Sequence, residues 1–152
     1  EFARPAFPTM RKQSISTIAA DAVLSARVDA EKRGVEVTLV GDDDARAFVD
    51  EHLLRQALLN LIANAVQASG SGTTVAVRVA GAGDGVVIEV QDCGSGVAEA
   101  DLNHIFEPFY TTKATGTGLG LTVVKRFVDA HQGEVSVRSS AQGSVFSIRL
   151  DG

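Results

Sequence analysis

Asn60 and Asn64 stand four residues apart in an otherwise apolar run, a spacing that on a helix puts both carboxamides on one face, one turn apart. Amide oxygens are hard ligands, suited to a magnesium ion that keeps several waters and bridges phosphates. Asparagine is a poor mid-helix residue, so the pair calls for a reason, and a solvated helix flank continued by Gln56 and Gln67 is the plainer one. Asp92-Cys93-Gly94-Ser95-Gly96 follows directly on a second apolar run. A carboxylate at a strand end can accept a hydrogen bond from an exocyclic amine, and the glycines let the backbone approach a flat base; a glycine turn with an aspartate cap has the same pattern. Cys93, without a histidine or second cysteine in its setting, reads as a small packing residue. The third group is Thr111-Thr112-Lys113-Ala114-Thr115-Gly116-Thr117-Gly118-Leu119-Gly120-Leu121. Backbone amides of a glycine-rich loop at a helix start make an anion site, with Lys113 as a point charge for phosphate, and a simple flexible loop is the alternative. It is no P-loop, because no Gly-Lys-Ser/Thr ends it, and Leu121 stands where a Rossmann fingerprint needs its third glycine.

The elements that must position these groups follow from periodicity. Residues 1–13 carry Pro5 and Pro8, show no periodicity and read as a connector. Ile15, Ile18, Ala19, Ala22, Val23, Ala26 and Ala30 recur at helical spacing behind Ser14 as N-cap, and Gly34 ends that helix. Residues 35–40 alternate as a strand, and an acidic turn at Asp42-Asp43-Asp44 leads to a short strand near Phe48. Asp50 caps the clearest helix, whose stripe is Leu53, Leu54, Ala57, Leu58, Leu61, Ile62, Ala65 and Val66. Two hairpins are predicted, from residues 74–80 with 85–91 and from 134–139 with 144–150. Between them come a short helix near 99–105, an irregular stretch over 106–117, and a helix from Leu119 to about His131 closed by Gly133. Hairpins outnumber βαβ units, which predicts an α/β fold: a mixed, mostly antiparallel sheet with helices packed on one face.

The chain of 152 residues is long enough for one domain with its own core. Its formal charge of −5 argues against a nucleic-acid binder working through a broad basic face. A single cysteine excludes an internal disulfide and points to a reducing compartment. No apolar run is long enough for a transmembrane helix, and no signal stretch opens the chain, so no membrane contact by this domain is expected. The first residue is not Met, and Glu1-Phe2 is either native or a cloning scar.

In order and spacing, these motifs resemble the N, G1, F and G2 boxes of the sensor histidine kinase ATP-binding domain. Residues 60–65 match the N box, 92–96 the G1 box, Phe106-Glu107-Pro108-Phe109 the F box, and 116–120 the G2 box. His131-Gln132-Gly133 followed by Gly143-Ser144-Val145-Phe146 looks like the family's closing hairpin. The Thr111-Thr112-Lys113 run is similar to kinases of the nitrogen-regulation and oxygen-sensing class, and Phe2-Ala3-Arg4-Pro5 looks like their connector after the dimerisation helices. The resemblance covers nearly everything from Ser14 onward.

The resemblance implies a two-layer Bergerat sandwich over residues 14–152 that binds ATP and Mg2+. Asn64, assisted by Asn60, would hold magnesium; Asp92 would recognise the adenine amino group, with Gly94 and Gly96 admitting the base. Lys113, Thr115, Gly116, Thr117, Gly118, Leu119 and Gly120 would meet the phosphates, which makes Asn60, Asn64 and Lys113 the catalytic set. The implied partners are the kinase's own dimerisation and phosphoacceptor helices and a downstream response regulator, with the isolated domain a monomer and its location cytoplasmic, whether or not the whole kinase is membrane-anchored. Family ATPases of this fold place a water-activating glutamate four residues before the magnesium asparagine. Here that position is Asn60, which cannot act as a general base. A hydrolysing ATPase or a nucleotide-binding switch module is the alternative. His52, His104 and His131 all lie outside the family's His-Glu/Asp-x-x-x-Pro phosphoacceptor setting, so structural or surface roles are expected for each.

Overall fold

The computed structural model describes residues 8–94 and 119–151. The short helix expected near 99–105, the stretch over 106–117, and Gly96, Lys113, Thr115, Gly116, Thr117 and Gly118 lie outside them. The described elements are β1 (Arg11–Ser14), α1 (Ile15–Lys32), β2 (Glu36–Gly41), β3 (Arg46–Val49), α2 (Glu51–Ala68), β4 (Thr74–Ala82), β5 (Gly85–Gln91), α3 (Leu119–Ala130), β6 (Glu134–Ser140) and β7 (Gly143–Leu150).

Five strands form one sheet in the order β2-β4-β5-β7-β6. The β2–β4 pair is parallel and the others antiparallel, the mixture the hairpin count predicts. Register explains why one face is buried. Val77 pairs with Val90, Val90 with Phe146 and Phe146 with Val137, while Val79, Ile88, Ile148 and Val135 make the next row. Val75, Val77, Val79, Ile88, Val90 and Ile148 are buried, and the alternate residues between them carry Arg78, Glu89 and Arg138, paired to one another in solvent. Period-two alternation allows one apolar face, and the three helices cover it.

Helix α1 begins at Ser14, whose hydroxyl accepts the Thr17 amide at 3.3 Å. Asp50 caps α2 by accepting the Leu53 amide at 3.0 Å. Arg55 of α2 pairs with Glu51 one turn back and with Asp21 of α1 at 3.5 Å, fixing the two helices across their exposed edge.

Two details depart from the sequence expectation. The connector ends sooner, because Arg11–Ser14 form a strand with Lys12 opposite Phe48. Arg-Lys-Gln-Ser has no apolar residue to show a period; its backbone ladder is joined by Gln13, whose Nε2 donates to the Val49 carbonyl oxygen at 3.0 Å. The turn that closes α3 is made by Gln132, at φ +56°, and not by Gly133. Gly133 is needed for closeness instead: a Cβ there would lie 2.6 Å from the Arg149 carbonyl oxygen.

Candidate functional site

Helix α2 buries Leu54, Ala57, Leu58, Leu61, Ile62, Ala65 and Val66, which leaves Asn60 and Asn64 half-buried along its flank. Burial of the stripe fixes the rotation of the helix, and with it the side on which the carboxamides stand. Asn64 has an interaction partner in the structure.

Asp92 follows β5 and is 5% exposed. Its Oδ1 accepts two backbone amides, from Gly94 at 2.9 Å and from Ser144 of β7 at 3.1 Å. Its own amide donates to the Ser144 carbonyl at 2.9 Å. Two oriented amides on one oxygen fix the direction of the carboxylate and leave Oδ2 free of these two bonds.

The next two residues anchor the loop to other elements. The Cys93 amide donates to the Ser69 hydroxyl at 3.2 Å, and that hydroxyl donates to Ala65 on the last turn of α2 at 2.8 Å. The Cys93 thiol, exposed, donates to the Thr74 carbonyl at the start of β4 at 3.4 Å. Gly94 lies against the end of α2, where an added Cβ would come within 2.5 Å of the Ala68 carbonyl oxygen. Glycine at 94 is thus demanded by helix packing, a reason independent of any bound base. The loop after β5 is consequently tied to α2, β4 and β7 together, which sets Asp92 relative to the helix that carries Asn60 and Asn64.

Sequence reasoning named Gly143 and Ser144 only as part of the closing hairpin, without a tie to Asp92, and passed over Ser69. Ser144 and Gly143 buttress Asp92 from a strand more than 50 residues later, and a Cβ at Gly143 (φ +141°) would sit 2.2 Å from the Asp92 carbonyl oxygen. Ser69 links the helix end to the loop; a serine just past the last helical turn was the available signal. A separate depression of about 520 Å³, lined in part by Glu89, Lys125, Arg138 and Arg149, shares no residue with this site.

The donor set also bears on a metal. Among the described residues no group of three or more His, Cys, Asp or Glu side chains could hold one. Two neutral carboxamides fit magnesium only if most of its ligands and its compensating charge come from elsewhere, as they do when the ion arrives on phosphates.

Residues 49–152 match the family of histidine kinase-, DNA gyrase B- and HSP90-like ATPases. The chain belongs to that family. Within it this ATPase-family domain is of the sensor histidine kinase kind, an ATP-binding catalytic domain. It is 36% identical over 153 residues to the sensor histidine kinase ZraS of Salmonella typhimurium, covering 99% of this chain and 33% of that protein. It is 39% identical over 127 residues to the sensor histidine kinase CusS of Escherichia coli, covering 80% of this chain and 26% of that one. The domain therefore spans about a third or less of the curated relatives it matches. Among solved structures, the catalytic domain of histidine kinase ThkA superposes with a TM-score of 0.86 at 24% identity, over 94% of this chain and 95% of that one, a likeness of fold. Full-length ShkA in complex with AMPPNP superposes with a TM-score of 0.85 at 28% identity, over 97% of this chain and 32% of that one. No helix of the described residues is long and apolar enough to cross a membrane.

Proposed function

We propose that the domain binds Mg-ATP between α2 and the loop after β5 and passes the γ-phosphate to a histidine on dimerisation helices of the same kinase. The observation that carries this reading is the Asp92 carboxylate, buried and aimed by the Gly94 and Ser144 amides beside the helix of the two asparagines. Asp92 accepts the exocyclic amine of adenine, a group that guanine replaces with a carbonyl, so the site selects adenine nucleotides. Asn64 with Asn60 holds the magnesium ion, which when bound offsets phosphate charge. Lys113 and the amides of residues 115–120 take the phosphates. A response regulator then receives the phosphoryl group from the histidine.

Transfer fits the residues better than hydrolysis does. Phosphoryl transfer rests on positioning and electrostatics, with the acceptor in line with the γ-phosphate. Asn60 occupies the place of a water-activating glutamate, and a carboxamide has no basic oxygen with which to take a proton. The test is transfer of radiolabelled γ-phosphate from ATP to separately made dimerisation helices. Product that is acid-labile and alkali-stable, formed at a rate rising with fragment concentration, supports the reading. Fast ATP turnover by the domain alone would establish hydrolysis instead, and confirmed ATP binding with no transfer would establish a binding switch.

A further inference from the structure

Sequence reasoning gave His131 a structural or surface role; its contacts are more specific than either. The ring stacks on Phe127 with centroids 4.1 Å apart. Nδ1 lies 2.9 Å from the Phe127 carbonyl oxygen, which can only accept, so Nδ1 carries the proton. Nε2 is then the acceptor, and it takes the Asp50 amide at 3.0 Å across a sequence separation of 81 residues. One neutral tautomer satisfies both contacts. A protonated ring would set an Nε2–H donor against the Asp50 N–H donor. Burial lowers the His131 pKa, opposed by the Phe127 carbonyl and the Asp50 carboxylate, and the balance lies below the ordinary value of 6.5.

The two ends joined in this way belong to the two helices of the nucleotide site. α3 starts at Leu119, within the glycine-rich segment 116–120, and His131 directly follows its last residue; Asp50 caps α2, which carries Asn60 and Asn64. Asp50 also holds the Leu53 amide on Oδ1 and the Thr9 amide on Oδ2, at 3.0 and 2.7 Å, so its position is fixed from three sides. We propose that His131 is a positioning residue for the metal half of the site: its neutral imidazole fastens the end of α3 to the first peptide of α2 and so sets where Asn60 and Asn64 stand. The proposal rests on the nucleotide reading above and adds to it a dependence on the protonation of one histidine outside the site.

Other charged and titratable groups lie on the elements around the ring, and the glutamine comparison below separates His131 from them. Facing it from α2 is Asp50, already ionised; Glu51 is paired with Arg55 and Arg11, and His52 is exposed. On α3, Lys125 and Asp129 pair with each other at 3.0 Å. On the entry strand Lys12 lies over the Phe48 ring, and Glu134 at the start of β6 is exposed.

The experiment compares wild type, His131→Gln and His131→Phe by calorimetric titration with ATP, with and without magnesium, from pH 5.5 to 8, alongside circular-dichroism melts. The ligand's own titration is common to all three proteins and cancels. Glutamine keeps an acceptor that does not titrate; phenylalanine keeps the ring and loses the acceptor. At pH 8 the magnesium-dependent gain in affinity should fall about fivefold or more in His131→Phe, with magnesium-free affinity held within about twofold, and should persist in His131→Gln. In wild type, and not in His131→Gln, the gain should shrink as the pH falls below 6.5. An unchanged gain in His131→Phe, an equal loss with and without magnesium, or the same pH response in wild type and His131→Gln overturns the proposal. If His131→Phe does not fold, the wild-type and glutamine comparison decides. A wild type that binds no nucleotide at all refutes the site itself, a result plainly different from a binding protein indifferent to His131.

Discussion

Replacing Asp92 by asparagine and by alanine separates what this side chain does for the fold from what it does for a ligand. Its Oδ1 accepts the Gly94 and Ser144 amides. Asparagine can keep both bonds through its own carbonyl oxygen, and it then presents an NH₂ group, a donor, where the carboxylate offered an acceptor. The exocyclic amine of adenine is also a donor, so the contact is lost while the loop stays in place. A hydrogen bond to a charged group contributes about 1.5–3 kcal/mol, so affinity for ATP and ADP should fall alike, by roughly ten- to a hundredfold. The melting midpoint of Asp92→Asn should move little. Alanine removes the acceptor from both amides at a position 5% exposed. An unsatisfied buried group costs about 1–3 kcal/mol, and a domain of this size loses about 2–4 °C per kcal/mol, so Asp92→Ala should melt about 10 °C lower. Calorimetric titration gives the first number and a thermal melt the second. Unchanged nucleotide affinity in Asp92→Asn would remove Asp92 from adenine recognition. Equal melting losses in the two variants would show that the Gly94 and Ser144 amides do not hold the loop through Asp92.

Asn64→Ala should abolish the magnesium dependence of ATP binding while leaving the magnesium-free contact and the melting midpoint nearly intact; a full magnesium response in that variant contradicts its role. Gly143→Ala puts a methyl group 2.2 Å from the Asp92 carbonyl oxygen at a strained φ, so it should lower both stability and nucleotide affinity, measured by urea melts and titration. For Asp50, burial acts to raise the pKa, but the Leu53, Thr9 and His52 amides and His131 outweigh it and hold the folded value below 3.8. The unfolded chain therefore binds more protons below 3.8, so this contribution is complete above that pH and lost as pH falls through the folded value. Asp50→Asn keeps the helix cap and should flatten that acid limb of urea stability. His131 also has a lowered folded pKa, so its share is complete above 6.5 and declines below it; His131→Gln should remove that slope.

Much of the helical layer was legible in the sequence because its signals are local. Ser14 and Asp50 cap the helices they were expected to cap, and the apolar stripe of α2 is the one observed, with Leu53 only partly buried. Both hairpins appear where alternation and glycine placed them, although the first turn is tighter, with β4 running on through Ala82. What was missed depends on contacts between distant residues. β1 has no apolar period, and its pairing with β3, by backbone ladder and the polar side chains of Lys12 and Gln13, is not announced by composition. The sequence could place Asp92 at a strand end, but not Ser144 beneath it, since no local rule links positions 52 apart. Asp50 and His131 were each legible alone, as a helix cap and a histidine outside the phosphoacceptor setting. Their hydrogen bond arises only when α2 and α3 pack.

The strand order has a consequence for how the protein is made. β7, late in the sequence, lies between β5 and β6, so the edge of β5 stays bare until β7 has been synthesised. Asp92 then waits for the 52nd residue after it, Ser144, before its amide and carboxylate are both engaged. At about 5–20 residues per second a ribosome needs roughly 3–10 s to cover that distance. A nucleotide meeting the nascent chain in that interval finds α2 and its asparagines without a braced carboxylate opposite them. On the adenine contact proposed above, ATP is a ligand for the finished sheet, and its stabilising effect on newly made protein begins only after β7 has entered the gap.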